Sequence, residues 1–213
     1  MLQNLAPDRR AELKARHRQA ILDAADALIR ERGKPRFSVD ELAERADVAR
    51  RTIFNHFSSL DDVIMTACTQ VLSSVVDEFR ATAAAVPTGD GSRVALFDEI
   101  IAALRGIDLP TVVSYLWGVL ADEGDDGKSQ NAVQAVFVRT SEQLSTEMAQ
   151  RSSDLDEFEV AILVSSLMNG IAVVSRYWML RTGAALDAAS RQIWDELLDR
   201  LITNVRAGYA PPA

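Results

Sequence analysis

The stretch from Phe37 to Phe57 constrains the fold most strongly, because two short helical patterns lie on either side of a tight turn. Ser38 is followed three residues later by Glu41, a spacing typical of a capping box, in which each side chain accepts a hydrogen bond from the other residue's backbone N–H. A helix is therefore predicted to begin at about Val39. Asp47 tolerates the left-handed backbone conformation, so the chain is expected to reverse there.

A second helix is predicted directly after that turn, from about Ala49 to Phe54. Ile53 and Phe57 have the spacing of its inner face. The opposite face would then carry polar side chains, namely Arg50, Arg51 and Asn55. Two short helices joined in this way are typical of a helix-turn-helix, whose second helix enters the major groove of DNA.

The side chains of this second helix suit DNA. An arginine can bind O6 and N7 of guanine with two hydrogen bonds, although Arg50 and Arg51 would also be ordinary residues on a solvated surface. Thr52, Asn55 and His56 are better suited to backbone phosphates, and a histidine alone is more often packed or solvated. The complete set of predicted DNA-binding residues is Arg36, Ser38, Arg50, Arg51, Thr52, Asn55 and His56.

The first third of the chain resembles the tetracycline-repressor (TetR) family of bacterial transcription regulators. The family combines an alanine-rich helix ending in Gly, a Ser/Thr-Val helix start, a tight turn and the pattern Thr-hydrophobic-Tyr-x-His-Phe. The matching residues here are Gly33, Ser38-Val39, Ala46-Asp47-Val48-Ala49 and Thr52-Ile53-Phe54-Asn55-His56-Phe57. Asp47 stands where the family usually has Gly. Phe54 replaces a frequent phosphate-contacting Tyr and Leu60 replaces a usual Lys, so neither offers the polar group of the family residue.

The resemblance implies an all-α homodimer with about nine helices per chain. A helix-turn-helix DNA-binding domain is expected at residues 1–57 and a ligand-binding and dimerisation domain at 58–213, joined by a helix from about 59 to 85. Charge agrees with this division: residues 1–57 hold 12 Lys and Arg against 9 Asp and Glu, and residues 58–213 hold 11 against 22. A polyanion is therefore expected to meet the first domain.

The front of the first predicted helix, from Asp8 to Arg18, is densely charged. Its cationic residues are Arg9, Arg10, Lys14, Arg16 and Arg18. Such runs are usually solvated faces, but beside a helix-turn-helix this one also suits phosphate or minor-groove contact. Gly33 is expected to end the helix.

Apolar periodicity predicts five helices in the second domain, at about 92–105, 111–122, 131–151, 159–180 and from 188 onward. The segment 159–180 is long enough to span a membrane, but several polar residues and Arg176 interrupt it, which favours burial on several sides. The resemblance implies that the last two helices form the dimer interface. Its predicted members are Phe158, Ile162, Trp194, Leu198, Leu201, Ile202 and Val205.

Bulky aromatic, methionine and polar residues on the apolar helices are candidates for a ligand site, with ordinary packing as the alternative for each of them. The resemblance implies a mostly apolar effector site in the second domain. The candidates are Tyr115, Trp117, Phe137, Met168, Asn169, Arg176 and Tyr177.

Enzyme signatures are missing from the sequence. His17 and His56 are the only histidines, Cys68 is the only cysteine, and neither a phosphate-binding glycine loop nor a Gly-x-Ser-x-Gly motif occurs. Metal-ligand spacing is also missing, so neither a metal nor a cofactor is expected. Without a signal-peptide pattern, the expected location is the cytoplasm, with no membrane partner.

Together with the residues of the helix-turn-helix, the resemblance implies a ligand-responsive repressor that leaves a palindromic operator in double-stranded DNA when a small apolar effector binds. The alternative is a helical protein-interaction dimer that keeps this fold but has lost specific DNA binding. An enzyme with a helical second domain would need a nucleophile and a base that the sequence does not offer.

Overall fold

The computed structural model describes residues 5–85, 89–120, 138, 141–151 and 154–208, with side chains from residue 9 onward. These described residues form nine helices and contain no β-strand, which confirms the predicted all-α class. The helices are α1 (Leu5–Arg32), α2 (Val39–Arg45), α3 (Arg50–His56), α4 (Leu60–Ala85), α5 (Arg93–Arg105), α6 (Leu109–Leu120), α7 (including residues 141–149), α8 (Glu157–Thr182) and α9 (Ala188–Gly208).

The helix ends follow the start and stop signals of the sequence. Ser38 and Glu41 form the predicted capping box at the start of α2. Gly33 follows α1 with a φ of 66°, and Asp47 has a φ of 51° in the turn before α3. Asp47 therefore adopts the left-handed conformation expected of it, at a position where a bulkier residue would be strained. Helix α3 continues to His56, two residues beyond its predicted end.

The chain divides into two compact units. Among the described residues, 5–71 and 115–120 form the first unit, and the others form the second. Helices α4 and α6 each contribute residues to both units. The predicted functional boundary after residue 57 stays a prediction.

The core of the first unit fixes the orientation of the two short helices. The side chain of Leu42 in α2 and that of Ile53 in α3 are both fully buried. They belong to one apolar cluster with Phe57, which follows α3, and with residues of α1, α4 and α6, including Ile21, Ala25, Ile29, Val63, Cys68 and Val119. Each short helix is thus held by its inner face, and its outer face remains in solvent.

Helices α8 and α9 pack closely in the second unit. Trp178 of α8 is fully buried, donates from Nε1 to the carbonyl of Ser190 at 2.7 Å, and packs edge-on against Trp194 of α9 with ring centroids 5.6 Å apart. A Cβ atom at Gly170 would collide with the side chain of Leu201, so glycine at this position permits the close approach of the two helices.

Only one side of α8 is buried in the single chain. Its inner residues, including Val160, Leu163, Leu167 and Trp178, lie in the core of the second unit. By length and composition alone α8 could cross a membrane, but a core helix has the same properties. The expected burial on several sides is not observed, because the outer face of α8 is exposed.

Candidate nucleic-acid interface

The turn between α2 and α3 is closed by backbone hydrogen bonds. The N–H of Val48 donates to the carbonyl of Ala43 at 3.0 Å, and the N–H of Asp47 donates to that of Glu44 at 3.2 Å. Ile53 of α3 and Phe57, which directly follows α3, are buried. The outer face of α3, formed by Arg50, Arg51, Phe54 and Asn55, is exposed. The predicted recognition helix therefore presents its polar residues and one aromatic ring to solvent.

The two arginines at the start of α3 differ in their surroundings. Arg50 forms an ion pair with Asp40 of α2, with 3.1 Å between Nη1 and Oδ1, and both side chains are well exposed. Arg51 forms no ion pair with any residue that the structure describes. An exposed ion pair contributes only about 0.2–1 kcal/mol, so the Asp40 contact holds Arg50 weakly. Sequence spacing did not reveal this pair because it joins two helices across the turn.

The start of α2 is ordered by Arg32 of α1. Its Nη2 atom lies 2.7 Å from Oε1 of Glu41, and this hydrogen bond, together with those from Ser38, lowers the pKa of Glu41 to about 2. The Oγ atom of Ser38 accepts from the Glu41 N–H at 3.2 Å, and the Ser38 N–H donates to Oε2 of Glu41 at 2.7 Å. Arg36 is exposed next to this cap.

The remaining predicted DNA-binding residues follow along α3. Thr52 and His56 are half-buried, and Asn55 is exposed. His56 faces α1, where its ring centroid lies 6.5 Å from that of His17 with the rings perpendicular. Partial burial, followed by the positive charges of Lys14, His17 and Arg18, lowers the pKa of His56. His17 was not among the predicted site residues, although its spacing from Lys14 and Arg18 places all three on one face of α1.

The predicted ligand-binding residues are not brought together. Tyr115 is buried in the core of the first unit, where Arg30 lies 5.1 Å from its ring centroid and burial raises the pKa of its hydroxyl. Trp117, also in the first unit, is exposed. Phe137 lies outside the described residues. The remaining four candidates lie on α8, in the second unit.

Among the α8 candidates, Met168 lines an apolar cavity within the second unit, whereas Asn169, Arg176 and Tyr177 are exposed on the helix surface. The cavity has a volume of about 20 Å³, roughly the space for one water molecule. Its lining is entirely apolar and comprises Phe79, Ile100, Leu104, Leu144, Met148, Val164, Leu167, Met168 and Ile171. Eight of these nine residues are not among the predicted ligand-binding residues, because a cavity depends on how four helices meet.

The predicted dimer-interface residues fall into two groups. Trp194, Leu198 and Ile202 are buried in the core of the second unit, so they are not available to a second chain and that part of the prediction requires correction. Leu201 and Val205 are partly buried against the same core. Phe158 and Ile162 are exposed on α8, together with three residues that share that surface along the helix: Val173, Tyr177 and Leu180. We call these five residues the α8 outer face.

Residues 21–64, which include the helix-turn-helix, match the model of the bacterial regulatory proteins of the tetR family. The chain is 26% identical over 223 residues to the HTH-type transcriptional regulator TcmR of Streptomyces glaucescens, and the alignment covers 96% of this chain and 90% of that protein.

Two crystal structures assigned to TetR-family transcriptional regulators share the fold. The one from Mesorhizobium loti MAFF303099 has a TM-score of 0.65 and 16% identity, covering 91% of this chain and 96% of its own. The one from Shewanella sp. PV-4 has a TM-score of 0.51 and 19% identity, covering 85% and 95%. The likeness in fold therefore extends well beyond the helix-turn-helix.

Proposed function

Because this chain belongs to the TetR family of DNA-binding transcriptional regulators, we propose that it is a homodimeric repressor, released from a palindromic operator by a small, largely apolar effector. The observation that carries the proposal is the outer face of α3, where Arg50, Arg51 and Asn55 are exposed while Ile53 anchors the helix from below. Side chains near the start of a recognition helix reach base edges in the major groove.

Base reading is assigned to Arg50 and Arg51, since each guanidinium can bind one guanine with two hydrogen bonds. Contact with the sugar-phosphate backbone is assigned to Thr52, Asn55, His56, Ser38 and Arg36. Contacts of this kind position the protein without reading sequence. The assignment predicts one short, guanine-containing half-site for each chain.

A DNA selection with the purified protein tests this proposal. We expect enrichment of a palindrome whose half-sites lie about one helical turn, or a multiple of it, apart on the duplex. Binding to the selected duplex and to a mixed-sequence duplex of the same length is then compared at rising salt. Equal affinity for both duplexes would show that the chain does not recognise an operator.

Dimerisation is supported by the α8 outer face. Phe158 and Leu180 are 71% and 75% exposed, and large apolar side chains that line one exposed side of a helix are expected to be covered by a partner, although the exposed Asn169 and Arg176 lie on the same side. From Phe158 to Leu180 this face extends about 33 Å along the helix. A second copy of the chain offers the same surface, so a two-fold symmetric contact covers both faces at once.

Effector binding is supported by the apolar cavity in the second unit. Since the cavity has room for about one water, an effector must displace the lining side chains. Phe79 belongs to α4, which continues into the first unit, so displacement of Phe79 would act on a helix that also contributes to the DNA-binding part. Two recognition helices must keep a fixed spacing to bind one duplex, and a change in α4 would disturb it.

Reciprocity provides the test of this coupling. An effector that weakens operator binding by about 5–150-fold must itself bind more weakly, by the same factor, when operator is present. Calorimetry of each candidate compound with and without saturating operator duplex measures that factor. Equal affinity in both titrations would leave a DNA-binding protein without a ligand switch.

The alternative function is a dimer that binds another protein through the outer face of α3. The exposure of Phe54 favours it, because this residue is 49% exposed in the middle of that face. Salt dependence separates the two. Contact with phosphates makes the affinity for DNA fall steeply with salt, whereas the affinity for a protein that docks on an exposed aromatic ring does not.

We place the protein in the cytoplasm, where an operator would be accessible.

A further inference from the structure

Four basic side chains converge where the end of α3 meets the front of α1. Lys14, His17 and Arg18 have the i, i+3 and i+4 spacing that places them on one face of α1. His56, at the end of α3, faces them, with 6.5 Å between its ring centroid and that of His17. The guanidinium carbon of Arg18 lies 4.4 Å from the ring centroid of Phe57, so the buried ring holds this cation at the cluster.

Among the described residues, the charged groups that shift the pKa of His56 all have the same sign. From α1, the groups that influence its protonation are Lys14, His17 and Arg18. The nearest carboxylates in sequence are Asp61 and Asp62 in the first turn of α4. Asp62 accepts hydrogen bonds from the N–H and the hydroxyl of Ser58, at 2.8 and 3.0 Å, and neither Asp61 nor Asp62 contributes to the shift of His56. A half-exposed cluster of cations that has no carboxylate partner among the described side chains is suited to an external anion.

We propose that Lys14, His17, Arg18 and His56 form a site for a DNA backbone phosphate, and that filling this site adds a proton to His56. The inference rests on the proposed DNA-binding function and adds α1 to the interface. It also makes DNA affinity dependent on pH in the range where histidine titrates.

The direction of the pH dependence follows from the charges. In the free protein, partial burial and the neighbouring cations hold the pKa of His56 below its ordinary value. A phosphate next to the ring favours the imidazolium, so the pKa is higher in the complex. Affinity therefore increases as the pH falls through the pKa of the complex, and it levels off below the pKa of the free protein. Each histidine contributes at most about a tenfold change per pH unit.

Protons taken up on DNA binding can be assigned to particular residues, because the chain has few histidines. His17 and His56 are its only histidines, and both belong to the cluster. Histidine is the side chain whose unperturbed pKa lies between about pH 5 and pH 8, so proton uptake in this range points to these two rings. Variants of the two residues separate them from the terminal amine, which also titrates near this range.

The experiment is calorimetry of the full-length protein with the duplex obtained by selection and with a mixed-sequence duplex of the same length. Repeating each titration near neutral pH in two buffers with different ionisation enthalpies gives the number of protons bound. We expect net uptake with both duplexes, because phosphates are common to both. His56→Gln should reduce the uptake, and the His17→Gln/His56→Gln double variant should abolish the histidine contribution.

Histidine NMR resonances of the wild-type protein, titrated with and without duplex, provide a second measurement that needs no variant to fold. The resonance of His56 should titrate at higher pH in the complex. Specific DNA binding without proton uptake, or with uptake unchanged in the double variant, would overturn this inference and leave the proposed function intact. Failure to bind either duplex at any pH would overturn the proposed function itself.

Discussion

The outer face of α3 and the outer face of α8 are both exposed, yet they carry opposite chemistry. On α3, two arginines and an asparagine surround a single aromatic ring, whereas α8 presents Phe158, Ile162, Val173, Tyr177 and Leu180. Each helix is held by buried residues on its inner side, so neither outer face is needed to fold the single chain. The difference agrees with the two proposed partners, a hydrated polyanion for α3 and a second copy of the chain for α8.

The largest effect is expected from placing charge on the α8 outer face. An Ile162→Glu/Val173→Glu variant would bury unpaired carboxylates in the proposed dimer contact, which is strongly unfavourable. We expect monomers in sedimentation velocity. Loss of the second half-site contact should lower operator affinity by about 10²–10⁴-fold.

Val94 offers a matched control for this variant. It lies on α5 and is 51% exposed, close to the 55% of Val173, but it is not part of the α8 outer face. Val94→Glu should leave both the dimer and operator binding unchanged. An intact dimer in the double α8 variant would exclude this face from the interface. Dimerisation would then no longer explain why the outer face of α8 is apolar while that of α3 is polar.

The inner faces of these helices were predictable from sequence, whereas the partners of several residues were not. Periodicity marked Ile53, Trp194, Leu198 and Ile202 as apolar positions on one side of a helix, and all four are buried. It could not tell whether a buried stripe faces its own chain or a second copy. The resemblance implies an interface at the last two helices, and the prediction therefore included three core residues of α9. The cavity and the Asp40–Arg50 pair depend on how separate helices meet, which local spacing does not encode.

Variants of Leu198 and Phe158 test this reassignment of α9. In the monomeric α8 variant, Leu198→Ala should lower the free energy of unfolding by about 2–5 kcal/mol, because it leaves a cavity in the core. Phe158→Ala, at a side chain that is 71% exposed, should change it by less than about 0.5 kcal/mol. Urea denaturation measures both. A small effect at Leu198 together with a large one at Phe158 would reverse the assignment of inner and outer residues.

A smaller effect is expected from the arginines of α3. Arg51→Ala should lower affinity for the selected operator by about 1–3 kcal/mol while affinity for a mixed-sequence duplex changes little. Arg50→Ala should act in the same direction. Thr52→Ala on the same helix is the control, since loss of a backbone contact should weaken both duplexes alike. If both arginine variants kept full discrimination between the two duplexes, α3 would not be the recognition helix.

The smallest effect is expected from Asp40, the only carboxylate that pairs with a cation of the α3 outer face among the described residues. Asp40→Asn removes one negative charge facing the phosphates and releases Arg50 from a pair that contributes about 0.2–1 kcal/mol. Affinity for both duplexes should therefore rise by up to about fivefold, and the gain should shrink as salt is added.

Glu44→Gln makes the same change of charge at another exposed position of α2, and its effect measures the general electrostatic contribution alone. If affinity for DNA rises more in Asp40→Asn than in Glu44→Gln, the difference is due to the release of Arg50. In a double-mutant cycle, this difference should disappear when Arg50→Ala is also present. A loss of operator affinity in Asp40→Asn, with mixed-sequence binding unchanged, would have the opposite meaning. Asp40 would then orient Arg50 towards a base in the complex, and the carboxylate would be part of the sequence-reading surface.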